Sequence, residues 1–204
     1  MKELILKIEQ WAEDRNIIKG SKPIDQAMKL FSEFGELADN VGKGRDCRDD
    51  IGDCAVVMTI IMAQCGLSFH AYAENLKFIS QYDIKYNVAQ LGAQLGDFVS
   101  DIACNSEISS ESDAFIWCIE YLNVIAMQIG STLEECVQIA YDDIKDRKGL
   151  MHNGVFIKES DPAYAPVVAA IESNCTIDED ALDNIEADKR MATQKRISVN
   201  LEDL

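Results

Sequence analysis

Proline is nearly missing from this 204-residue chain: there are three, beside eleven glycines. So few turn-formers disfavour an all-β chain of short strands and suit long helices. Basic residues are also scarce. Nineteen Lys and Arg face 36 Asp and Glu, a net charge of −17. Such a body repels polyphosphate backbones at long range, which argues against a nucleic acid polymer as partner. A small phosphorylated ligand stays possible, because bound cations invert the local field. The seven cysteines are odd in number and never spaced C-x-x-C, so neither a zinc ribbon nor a disulfide framework is expected. No apolar run approaches a membrane span: the longest, Cys54 to Ile61, is interrupted by Thr59. The start, MKELILKIEQWAEDR, is charged and amphipathic, unlike a signal peptide. These absences predict a cytoplasmic protein without a membrane partner.

What is present is 48% hydrophobic and 27% charged, a globular profile. Leu4, Ile5, Ile8, Trp11 and Ala12 recur at helical spacing and predict a first helix ending near Asn16. Pro23 opens a second, with Ala27, Leu30, Phe31, Phe34, Leu37, Ala38 and Val41 on one stripe, stopped by Gly42-Lys43-Gly44. A third, Arg48 to Gln64, is apolar nearly all round after Asp53 and should be the central buried helix. A fourth is predicted from Ser68 to Gln81. The plan then repeats, with helices from Asn87 to Cys104, Phe115 to Ile129 and Leu133 to Lys148 around a polar loop, Asn105 to Ser112. GELADNVGKG, an apolar helix and Gly66 are echoed by LGDFVSDIAC, an apolar helix and Gly130. The expected fold is all-α, an antiparallel helical bundle with a degenerate duplicated hairpin. Only Gly154 to Ile157 reads as a strand. Residues 1–159 read as one domain and 160–204 as an acidic extension, with a short helix over Tyr164 to Ile171 and a loosely docked stretch from Asp178 to Leu204.

Four acids stand out. Glu33 and Glu36, then Asp50 and Asp53, are spaced i, i+3, so each pair leaves one side of its helix roughly 4.5 Å apart along the axis. Gln26, Lys29, Glu33, Glu36 and Asn40 share an arc beside the apolar stripe. Asp50 and Asp53 continue the line of Val57, Ile60, Ile61 and Gln64. Four carboxylates turned toward one helix–helix seam repel each other and lose solvation, a cost that a hard divalent cation relieves. The competing reading is ordinary surface acids, with Asp50 and Asp53 favoured by the dipole of their helix N-terminus.

QAMKLFSEFGELADNV followed by DDIGDCAVVM resembles the MazG-type all-α nucleoside triphosphate pyrophosphohydrolases, whose signature is an E-x-x-E pair on one helix and an E-x-x-D pair on the next. Glu33 and Glu36 match the first pair and Asp53 the final Asp, while Gly35 and Gly52 match the flanking glycines. Asp50 stands where the family usually has Glu. The opening QWAEDRNIIKGS and the segment AYDDIKDRKGLMHNGVFIKE are similar to the phage-encoded branch, so the resemblance covers roughly residues 8 to 160. It implies metal ligation by Glu33, Glu36, Asp50 and Asp53, with Mg²⁺ (or Mn²⁺ in its place) as cofactor. The implied reaction hydrolyses an NTP or dNTP between the α and β phosphorus atoms, giving the monophosphate and pyrophosphate. It also implies a homo-oligomer, dimer or tetramer, in a bacterial or phage-infected cytoplasm.

A triphosphate needs further cations. Lys145, Arg147 and Lys148 close the last long helix, and Lys29 sits on the acidic arc. On spacing alone the cluster complements the helix dipole; the resemblance makes it phosphate-contacting. Trp11 and Asn16 are candidates for holding the base, although Trp11 equally suits the core. His70 and His152 lack the Glu-x-x-His spacing of di-iron bundles. In the second half Gln94 and Asp97 replace Glu33 and Glu36, and Ala114 and Trp117 replace Asp50 and Asp53, so one metal site per chain is expected. Two other functions fit the same residues: a nucleotide-binding sensor with little turnover, or a structural helical module.

Overall fold

The computed structural model describes residues 1–74, 76–104 and 113–173. It divides into two compact units, Met1–Phe156 and Ile157–Leu204. The first unit contains α1 (Lys2–Asp14), α2 (Ile17–Gly20), α3 (Pro23–Lys43), α4 (Arg48–Gln64), α5 (Phe69–Ala73), α6 (Ile84–Cys104), α7 (Asp113–Gln128) and α8 (Leu133–Ile144). Strands β1 (Gly149–His152) and β2 (Val155–Lys158) form a two-stranded hairpin, and α9 (Tyr164–Ser173) lies in the second unit. The protein is therefore largely all-α. No single described helix is long and apolar enough to cross a membrane.

Local chemistry explains the element ends. Pro23 supplies the first turn of α3, and the Asp25 carboxylate accepts the Lys22 backbone N–H at 2.7 Å. Gly44, at φ +65°, turns the chain into α4. Thr132 and Glu135 cap α8 reciprocally, at 3.1 and 2.9 Å. Asn153 and Gly154 both have positive φ (47° and 77°), the Asn-Gly pairing that a tight hairpin turn requires.

α4 is the buried axis, with twelve of its residues between Asp50 and Met62 buried. α3 runs antiparallel to it. Asn40 reaches Asp50 near their connection, and at the far end the Gln64 amide donates to the Ser21 carbonyl at 3.0 Å. α8 covers another side of α4 at very close range. A Cβ on Gly52 would lie 2.1 Å from the Cys136 carbonyl oxygen and 2.8 Å from the Ala140 Cβ. α6 and α7 form the second helical pair, and the Phe34 ring of α3 fills the space over Gly92 of α6.

Two predicted boundaries move by four residues or more, and α6 begins three residues before the expected Asn87. The fourth helix covers Phe69–Ala73 only, not Ser68 to Gln81. Beyond it the Lys77 and Phe78 backbone N–H groups donate to the Glu120 carboxylate of α7, at 3.1 Å each, instead of continuing a helical ladder. α8 ends at Ile144, four residues before Lys148. The carbonyls of Lys145 and Arg147 accept bonds from the Arg15 guanidinium at 3.1 and 2.7 Å, which holds this segment as a turn. The strand expected at Gly154–Ile157 is present as β2, with β1 as its partner. The loop at 105–112 and the extension at 178–204 lie outside the described residues.

The Gly52 contact yields a stability prediction. Gly52→Ala forces two helix backbones apart and should cost at least about 1–3 kcal/mol. Gly96→Ala meets no neighbour within 4 Å and should gain about 0.5–1 kcal/mol from reduced backbone entropy. Paired thermal melts would check both.

Candidate functional site

α3 and α4 present Gln26, Lys29 and Glu33 opposite Asp53, Val56, Val57 and Ile60 across a cavity of about 330 Å³. Trp11 of α1 and Ile17 of α2 close one side. Ile144, Arg147, Met151, Gly154 and Phe156 close another. Apolar and aromatic side chains thus share the lining with charges of both signs. A larger open depression, about 760 Å³, lies between the α3–α4 and α7–α8 connections. It contains none of the predicted acids, and its Arg48 is already bound by Asp46.

Of the four acids, Glu33 and Asp53 line the cavity. Glu33 is only 5% exposed and forms an ion pair with Lys29. Asp53 is pushed up to about 7, first by burial and then by the negative charges of Glu33 and Asp49, against smaller opposing effects of Lys29 and Arg147. Asp50 is buried beside them and does not line the cavity. Its carboxylate accepts the Asn40 amide at 2.8 Å, and burial raises its pKa despite that bond, with Glu33 adding to the rise. Glu36 is exposed and outside the lining.

The cationic candidates divide similarly. Arg147 and Lys29 line the cavity; Lys145 and Lys148 do not. Lys145 is exposed and pairs with Asp142 at 2.6 Å. Trp11 lines the apolar side, and its indole Nε1 is buried without a hydrogen-bond partner among the described residues. Asn16 acts on the wall rather than in it. It adopts a left-handed turn (φ 55°), and its amide donates to the Met151 carbonyl at 3.0 Å.

Arg15 is a residue the sequence did not single out. Its guanidinium lies 4.9 Å from the Trp11 ring centroid and donates to the carbonyls of Trp11, Lys145 and Arg147. Its own carbonyl accepts from Met151 N–H at 2.8 Å, and the Gly20 carbonyl accepts from Gly154 N–H at 2.9 Å. The Arg15 side chain thereby ties two cavity-lining residues, Trp11 and Arg147, together, and its backbone carbonyl holds a third, Met151. Asp25, Met151 and Phe156 also escaped the sequence reading, since nothing local to them marks the cavity.

The donors at the cavity are carboxylate oxygens, the ligand class of a hard divalent cation. Among the described residues no group of three or more His, Cys, Asp or Glu side chains is arranged to hold a metal ion. Glu33 and Asp53 are the two candidate carboxylates that line the cavity. Mg²⁺ accepts carboxylate oxygens, taking its remaining ligands from water and substrate phosphates. The raised Asp53 carboxyl is the penalty that a cation there would relieve.

No protein-family model matches the chain, and no solved structure matches it significantly. It is 32% identical over 158 residues to an uncharacterized 18.2 kDa protein encoded in the rep-hol intergenic region of Haemophilus phage HP1 (strain HP1c1). The match covers 69% of this chain and 97% of the phage protein. The chain belongs to the family of that phage protein.

Asp53 makes stability depend on pH. Between its ordinary value of 3.8 and about 7 the folded chain keeps a proton that the unfolded chain has released, so stability falls as pH rises through that window and then levels off. Asp53→Asn cannot ionise. Its melting temperature should exceed that of the unmodified protein at pH 8 and equal it below pH 4, measured in metal-free buffer by differential scanning calorimetry.

Proposed function

We propose that the chain is a Mg²⁺-dependent nucleoside triphosphate pyrophosphohydrolase, converting an NTP or dNTP and water to the monophosphate and pyrophosphate in a bacterial or phage-infected cytoplasm. The observation that carries this reading is that Glu33 and Asp53 line one cavity together with Lys29, Arg147 and apolar and aromatic side chains. The volume lies near the lower end of the range of about 300–1,000 Å³ for small-ligand sites, which suits one nucleotide rather than a polymer. The motif resemblance supports the same chemistry.

Each part of the lining has a distinct task. Trp11, Val57, Ile60 and Phe156 offer apolar surface to a base, and the unpartnered Trp11 indole N–H offers one donor. Arg147 and Lys29 attract phosphate oxygens; Arg147 suits bidentate contact. The Glu33 and Asp53 carboxylates would hold Mg²⁺ or Mn²⁺, whose chemistry is to neutralise triphosphate charge and acidify water. Lys29 lends Glu33 a counter-charge while no substrate is present. Asn16 and Arg15 hold the Met151 and Arg147 backbone in place, which fixes the cavity's outer edge.

A second reading is a nucleotide sensor of the same fold with little turnover. Two observations favour it: Glu36 points to solvent, and Asp50 is engaged by Asn40. Pyrophosphate release measured over all NTPs and dNTPs with Mg²⁺ separates the two. Hydrolysis is expected, falling at least about a hundredfold in Glu33→Gln and Asp53→Asn, as for loss of a charge that stabilises the transition state. Gln94→Ala and Asp97→Ala should leave it intact. Triphosphate-induced stabilisation without pyrophosphate would establish the sensor instead. No binding and no release would remove both readings.

A further inference from the structure

Ser21 settles which way two glutamine amides face. Its hydroxyl donates to the Ile17 carbonyl at 2.7 Å, so its oxygen has only acceptor capacity left. The two amides that approach it, Gln26 at 2.9 Å and Gln64 at 3.1 Å, must therefore both present Nε2. For Gln64 the assignment is forced a second time, because the same nitrogen faces the carbonyls of Ile17, Ile18 and Ser21. It holds although it leaves the Gln64 Oε1 buried without a partner among the described residues. Gln26 is 6% exposed and lines the cavity, while Ser21 stands outside the lining. With Nε2 committed to Ser21, Oε1 is the amide atom left for a ligand.

We propose that Gln26 Oε1 is the acceptor that reads the base of the bound nucleotide, and that it selects bases with an exocyclic amino group over those with a carbonyl in its place. This selection rests on the nucleotide reading of the cavity and adds which bases it takes. Gln26 lies seven residues before Glu33 on α3, about 10 Å along the helix axis. Ile60 lies seven residues after Asp53 on the antiparallel α4, so Gln26 and Ile60 stand at the end of the cavity away from the two acids. At that end the neighbouring Asp25 carboxylate also lines the cavity, and it too is an acceptor, already engaged by the Lys22 N–H. The backbone N–H groups of Gly154 and Met151 are taken by the carbonyls of Gly20 and Arg15. Apart from Lys29 and Arg147, whose charge suits phosphate, the Trp11 indole N–H is the one side-chain donor in the described lining. An amino group satisfies an acceptor held this way. A carbonyl oxygen in the same place meets another oxygen and leaves both unpaired.

Calorimetric titration of the full chain with Mg²⁺ and the non-hydrolysable α,β-imido analogues of CTP, UTP, ATP and ITP tests this. Each pair sets an amino group against a carbonyl at nearly constant shape. The CTP and ATP analogues should bind at least about tenfold more tightly than their UTP and ITP counterparts. Gln26→Met keeps the length of the side chain without the acceptor and should erase the preference. Ser21→Ala releases the Gln26 amide to turn end for end, so that Nε2 can serve a carbonyl, and should narrow the preference or invert it. Circular dichroism would verify that helix content is kept; should either variant lose it, the other decides. Equal binding of the four analogues overturns the selection and leaves the nucleotide reading standing. A preference that survives in Gln26→Met overturns it as well, as does a Ser21→Ala variant that weakens all four analogues alike, the behaviour of a merely structural hydroxyl. No binding of any analogue removes the nucleotide reading itself, and the selection with it.

Discussion

The arrangement depends on how closely α8 can lie against α4 at Gly52. With a carbonyl oxygen 2.1 Å from where a side chain would begin, the two helix backbones are in direct contact. That approach fixes the start of the turn that follows α8. The neighbouring residue, Asp53, faces the cavity, and the turn that follows Ile144 returns Arg147 to its rim. Were the helices a side chain farther apart, the acid and the guanidinium would belong to different surfaces.

The cavity brings together charge without full compensation. Glu33 has Lys29, yet at Asp53 burial and the charges of Glu33 and Asp49 outweigh Lys29 and Arg147, and its pKa is pushed up to about 7. Strong perturbation of a carboxyl beside a cavity marks candidate functional sites, although structural ion networks perturb such groups too. In the proposed function, the apolar and aromatic side chains and the Arg147 guanidinium of the same lining would take an anionic ligand with an aromatic part.

Much of the helical layout was legible because it is local. The period of Ala27, Leu30, Leu37 and Val41 and the uniformly apolar Cys54 to Met62 announced α3 and the central α4, and both ended where glycine or a polar break was found. What was illegible depends on partners far along the chain. The segment after α5 is unwound because Glu120 takes its N–H groups, and α8 stops because Arg15 takes the next carbonyls. Neither partner can be inferred from neighbouring residues. The acid motif was readable as a pattern but not as a set of side-chain positions. Residues at i and i+3 are about 60° apart around a helix, enough to bury Glu33 and expose Glu36, or to turn Asp50 to Asn40 and Asp53 to the cavity.

The clasp at Arg15 has a consequence for synthesis on the ribosome. Its carbonyl partners lie 130 and 132 residues downstream, and Gly20 waits for Gly154. Glu33 and Asp53 leave the exit tunnel long before Arg147, so through most of translation the acidic half of the cavity exists without its guanidinium or its outer wall. Contacts this distant in sequence close late, after local helices have formed. A nascent chain truncated before residue 147 lacks the residues that close the cavity's outer edge, and the lining is complete only once the hairpin has been made.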